Sequence, residues 1–135
     1  MHQLTERLHF EHTELQQALA GIRPRLFRTD EGRERLNRVR ALFHDHTETE
    51  HEKLYPVLKR AARRDQKLAA RLRQMDDDLK IVSDLAEGFF AKYENGQPRL
   101  IEFATDHGAL VTILKIRLQR EEEALFPEYD RLSSN

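Results

Sequence analysis

The chain has 135 residues, with 23 lysines and arginines against 24 acids, a net charge of −1, and no cysteine. That length fits one domain, residues 1–135, around a single core, and the charge balance argues against bulk binding to nucleic acid. Without cysteine there are no disulfides, zinc–thiolate sites, iron–sulfur clusters or c-type haem attachment, so any metal site is confined to imidazole and carboxylate.

With 39% hydrophobic and 35% charged residues, five glycines and four prolines, the chain reads as amphipathic helices. The first is predicted from about His2 to Ile22, with Leu4, Leu8, His12, Leu15, Leu19 and Ile22 on one face. Gly21 and Pro24 end or kink it. His12 thus shares the apolar face, while His2 and His9 fall on the solvated side. Thr29 or Asp30 is the predicted cap of a second helix, about Glu31 to Arg63, which Pro56 kinks near Tyr55.

That second helix holds the most informative stretch, His44 to Pro56, with three histidines and four carboxylates. Leu36, Val39, Phe43, Leu54 and Val57 or Leu58 follow steps of three and four, and His46 and Glu50 occupy the positions that this series skips. The pair therefore points at the core, where a buried carboxylate needs a metal, a counter-charge or a hydrogen-bond network. His44 and His51 share a stripe beside it.

Asp65 caps a predicted third helix, about Gln66 to Tyr93, with Leu72, Met75, Ile81, Leu85 and Phe89 inward and Asp78 in register with them. Asn95-Gly96 marks a turn, and Pro98 suits the first position of a last helix running to about Arg131. Along it lie Phe103, His107, Leu110, Leu114, Arg117, Glu121 and Leu125. Four such helices with short connections predict an all-α, antiparallel up-down-up-down four-helix bundle. Between Lys59 and Arg73 stand seven basic residues and one acid, read as a solvated helix–helix corner. His107, about 15 Å along the helix from Arg117, reads as a structural histidine, and no serine or cysteine accompanies the His–carboxylate pair to support hydrolysis. No apolar run approaches a membrane span, and Met1 leads into a charged amphipathic segment, so the expected setting is cytoplasmic, away from membranes.

The second and fourth helices repeat at an offset of 71: His46, Glu50, Leu54, Tyr55 and Pro56 fall on Arg117, Glu121, Leu125, Phe126 and Pro127. The first and third match more weakly at 66, with His12 on Asp78, Leu15 on Ile81 and Leu19 on Leu85, although Leu8 on Gln74 breaks the pattern. Such a repeat places the core-facing polar positions at one level of the bundle.

These residues resemble the hemerythrin-like (HHE cation-binding) domain family over nearly the whole chain. The resemblance implies a four-helix bundle with a non-haem di-iron centre, built from His on the first and third helices and His-x-x-x-Glu on the second and fourth, each of the latter followed by a Leu-aromatic-Pro stop. Here His12, His46, Glu50 and Glu121 match, as do Leu54-Tyr55-Pro56 and Leu125-Phe126-Pro127. Asp78 stands where the third helix should carry His, and Arg117 where the fourth should.

Two readings follow. In the first, His12, His46, Glu50, Asp78 and Glu121 bind metal: one or two iron ions, ahead of zinc or manganese, with His51 and Glu122 as alternative ligands or supporting partners. The function implied is iron-, oxygen- or redox-linked sensing or handling, with O2 or another small oxidant as partner, rather than oxygen transport. In the second, no metal binds, and Arg117 supplies its charge among Glu50, Asp78 and Glu121. The bundle is then a regulatory module with a protein partner.

Overall fold

The computed structural model describes residues 2–95 and 99–134, and among them the chain is all-helical, with no strand. Its elements are α1 (Gln3–Ala20), one 3-10 turn (Pro24–Leu26), α2 (Asp30–Thr49), a π turn (Glu50–Leu54), α3 (Tyr55–Ala62), α4 (Gln66–Asn95), α5 (Leu100–Ala124) and α6 (Phe126–Ser133). Four long segments form a bundle in which α1 packs on α2 and α5, and α4 packs on α5 and α3. The expected Asn95-Gly96 turn and the place of Pro98 lie outside the described residues. No helix among the described residues is long and apolar enough to cross a membrane.

Local chemistry sets the helix ends. The Nδ1 of His2 accepts from the Leu4 amide at 3.2 Å, so this exposed histidine caps α1. At the other end α1 stops at Ala20, two residues short of expectation, where the Gly21 amide donates to the Gln17 carbonyl at 2.9 Å. Thr29, rather than Asp30, caps α2 by accepting from the Gly32 amide at 3.1 Å, which leaves Asp30 and Glu31 in the first turn to oppose the helix dipole. Gly32 is required by close approach, because a Cβ there would lie 2.0 Å from the Leu26 carbonyl oxygen. Asp65 caps α4 as expected, accepting from the Leu68 amide at 3.1 Å.

The kink before Pro56 takes a definite form. Proline has no N–H to continue the ladder, and the Tyr55 amide reaches back five residues to the Glu50 carbonyl, opening the π turn. At the matching place in the fourth segment, α5 ends at Ala124 and α6 restarts at Phe126, with Leu125 bent to φ −103°.

On α1, α2 and α5 the buried stripe falls largely where periodicity put it, and on α4 Leu72, Met75 and Phe89 are buried as expected, but the middle of α4 is not. Ile81 and Leu85, expected inside, are 56% and 49% exposed, and the buried stripe runs Leu72, Met75, Val82, Ala86, Phe89, Phe90 and Tyr93. After Met75 the inward step is to Leu79 and then Val82, so Asp78 rotates onto the flank. The repeat between α1 and α4 is accordingly 67 residues, not 66: Leu8 matches Met75, His12 matches Leu79, Leu15 matches Val82 and Leu19 matches Ala86.

Two apolar clusters result. One gathers Leu15, Leu19, Phe43, Phe90, Phe103 and Leu114, among others. The second gathers Leu8, Leu54, Tyr55, Leu58, Leu125 and Phe126. The polar layer lies between them in register.

Candidate metal centre

On α1 the steps from Leu8 to His12 to Leu15 place an imidazole in the buried stripe, and on α2 Phe43 to His46 does the same. Glu50 opens the π turn and Glu121 lies four residues after Arg117 on α5. His12, His46, Glu50 and Glu121 are each between 1% and 3% exposed. One ligand atom from each lies within 4.8 Å of the others.

These groups approach without bonding. His12 Nε2 is 3.5 Å from Glu121 Oε1, and His46 Nε2 is 3.4 Å from Glu50 Oε1, both longer than a charge-assisted hydrogen bond. Both ring nitrogens of His12, Nε2 of His46, Oε2 of Glu50 and Oε2 of Glu121 have no hydrogen-bond partner. Buried polar atoms are almost always satisfied, and this group of four could hold a metal ion. Two imidazole nitrogens and two carboxylates suit one cation of the iron, manganese or zinc type.

Behind each imidazole stands a second carboxylate. Glu11 Oε1 is 2.8 Å from His46 Nδ1 and is itself held by Arg7 at 3.0 Å. Glu122 Oε1 lies 3.6 Å from His12 Nδ1 and 2.6 Å from His9 Nδ1. Glu122 therefore stands near His12 without a hydrogen bond to it, and pairs with His9 instead. His9, expected in solvent, is half-buried, with its ring edge-on to Phe126. Carboxylates in this place orient a ligating histidine and raise its basicity. Glu11 carried no sequence signal beyond its place next to His12, because only the approach of α2 gives it a role.

The electrostatics follow from burial. Burial works to lower His46, but the hydrogen bond to Glu11 and the nearby Glu50 and Glu121 carboxylates outweigh it and push it up to about 10. Burial and the Glu121 charge push Glu50 well above the carboxylate range. Burial also raises Glu121, but Glu50, His12 and the Arg117 charge together hold it low. Without a cation, then, the surroundings favour the charged form of His46 and the protonated form of Glu50.

Arg117 is 3% exposed and fills the α4 side of the layer. Its Nη1 donates to the Met75 carbonyl and its Nη2 to the Tyr55 hydroxyl, each at 2.7 Å. Its nearest carboxylate is Glu121 at 3.9 Å. It reaches Glu121, as the metal-free reading expected, but not Asp78, which has left the layer; Nη1 and Nη2 bond Met75 and Tyr55, and Nε has no partner. Asp78 accepts from Arg120 at 3.1 Å on the outer flank, so the structure brings together four of the five expected ligands and leaves it out. His51 is exposed beside the Tyr55 ring. His107 is the structural histidine expected, donating from Nε2 to the Leu19 carbonyl at 2.7 Å and stacked on Phe103.

The family model described as the hemerythrin HHE cation binding domain matches residues 3–129. No curated protein and no solved structure matches the chain.

Proposed function

The chain belongs to the hemerythrin HHE cation-binding domain family, and from that premise we propose that its core holds one non-haem iron ion and that it senses or handles O2 or another small oxidant rather than transporting O2. The observation that carries this reading is the group of four buried, mutually close ligand residues whose inward atoms have no partner. His12 and His46 supply nitrogen, and Glu50 and Glu121 supply oxygen. Iron there offers a one-electron redox couple, which zinc lacks.

The chain's own groups do the remaining work. Glu11 holds Nδ1 of His46 and so presents Nε2 to the layer. Glu50 and Glu121 balance the cation charge, and the flanking clusters keep bulk water away. A second ion has no counterpart set of ligands. Leu79 stands opposite His12 in the repeat, and Arg117 has a guanidinium with no lone pair to give.

The antiparallel up-down-up-down course is part of the same proposal. It is supported by pairs that run in opposite order along neighbours: Glu14 with Arg38 and Glu11 with His46 between α1 and α2, then Asp78 with Arg120 and Lys92 with Asp106 between α4 and α5.

One feature favours the competing reading of a metal-free regulatory bundle. His46 sits between Glu11 and Glu50, whose carboxylates favour its charged form, and that form would itself supply a positive charge to the layer. Iron content after anaerobic reconstitution with ferrous iron, followed by an optical spectrum in air, separates the two. One tightly held iron per chain with new near-ultraviolet absorption is the expected result. No iron above background favours the metal-free bundle, and two irons per chain overturn the single-ion reading.

A further inference from the structure

The core uses one face of α4 and one of α5, and each helix carries a second stripe that faces outward. On α4 it runs Asp78, Ile81, Leu85, Gly88, Lys92; on α5 it runs Asp106, Ala109, Ile113, Ile116, Arg120. Both step by three and four, the spacing of a coiled-coil seam. Ile81, Leu85 and Ile116 are between 45% and 56% exposed. Between the stripes lies a groove of about 300 Å³, walled in part by Leu85, Gly88, Ala109 and Ile113. Nothing lies within 4 Å of where a Cβ on Gly88 would sit, so the groove is open to a partner at that point.

We propose that this seam is the contact between two copies of the chain. The argument is its charge pattern. Arg120 bonds Asp78 at 3.1 Å at one end, and Lys92 bonds Asp106 at 2.9 Å at the other; Glu102 also reaches Lys92, one turn beyond the stripe. α4 is therefore acidic where α5 is basic, and the order reverses at the far end. Leu85 lies seven residues from both charges on α4, and Ile113 lies seven from both on α5. A two-fold axis across the helices at that midpoint sets Asp78 against the partner's Lys92 and Arg120 against the partner's Asp106. An axis along the helices sets Asp78 against the partner's Arg120 and Lys92 against the partner's Asp106. In either arrangement no like charges in this quartet meet, as an isologous interface requires.

The seam is about 21 Å long and two helices wide, on the order of 400 Å² per copy. That is below a standard interface, so the dimer is weak and concentration-dependent.

Sedimentation equilibrium of the full chain from about 10 µM to about 1 mM tests this. Mass is expected to rise from the 16.0 kDa of one chain toward twice that value. Leu85→Glu moves the midpoint at least tenfold higher. Phe10→Glu, at an apolar site on α1 that is 67% exposed, leaves it unchanged. Ile116→Lys repeats the test from α5 should Leu85→Glu fail to fold, as judged by its circular dichroism. A wild type that stays monomeric at about 1 mM overturns the proposal and leaves the seam to a different chain, and so does a folded Leu85→Glu that associates like the wild type.

Discussion

The half of the chain from α1 to α3 and the half from α4 to α6 share a frame and fill it differently. In each, a polar residue is followed four positions on by Glu, then by an aromatic-proline break: His46, Glu50, Tyr55, Pro56 and Arg117, Glu121, Phe126, Pro127. The same number of residues is absorbed by a π turn in the first half and by a bend at Leu125 in the second. The frame residues Leu54, Tyr55, Leu125 and Phe126 are at most 2% exposed, so packing holds them. The polar positions are constrained differently: each must find a partner for what it buries. Arg117 finds Tyr55 and Met75 inside the protein. His12 finds none, so the two histidines of the first half, with Glu50 and Glu121, point to a cation, and the Arg117 position does not.

Restoring the symmetry is the strongest test of that contrast. Leu79→His combined with Arg117→His should raise iron content after ferrous reconstitution from one to two per chain, measured by elemental analysis. Arg117→His alone should stay at one, because the α4 ligand is still missing.

Arg117→Leu probes the cost of the substitute. It strands the Tyr55 hydroxyl and removes the charge beside Glu121, so urea unfolding of the metal-free protein should show a loss of about 2–4 kcal/mol. An unchanged midpoint would mean that Arg117 contributes no net stability to the layer.

The supporting carboxylates come next. Glu11→Gln should weaken metal binding about 10–100-fold in a chelator competition. Glu122→Gln, with its oxygen at 3.6 Å from His12, should cost less than Glu11→Gln in the same assay. Equal losses would erase the distinction drawn between the two imidazoles.

The smallest effect is a slope with pH. His46 in the metal-free chain is raised to about 10, by Glu11 and Glu50 against the opposing effect of burial. A raised value stabilises the fold fully below the unfolded value near 6.5 and loses that contribution as pH rises through about 10. A cation on Nε2 must displace that proton, so zinc affinity should climb with pH by up to about tenfold per unit below that point. A flat profile in calorimetric titration would show that His46 is already neutral.

Much of this was legible in the chain, for physical reasons. His46 and Glu50 announced themselves because Leu36, Val39, Phe43, Leu54 and Leu58 left only those positions on the inner face. The order along α5 was equally plain. On α4 two apolar stripes lie side by side, and Ile81 and Leu85 are as apolar as Val82 and Ala86, so periodicity alone could not choose between them. The mismatch of Leu8 with Gln74 was the available sign that the register was off by one. Pro56 foretold a break but not its π form, which depends on the Tyr55 amide reaching Glu50. Glu11 was invisible because its partner comes from another helix.

The unpartnered atoms around His12 also bear on how long a chain lasts in its folded state. A cation that binds them only when the bundle is folded adds stability by mass action, about 2.7 kcal/mol at a concentration one hundred times its dissociation constant. Scarcity withdraws that reserve. Ambient metal would then be written into the lifetime of the polypeptide, and resistance to proteolysis would serve as its gauge.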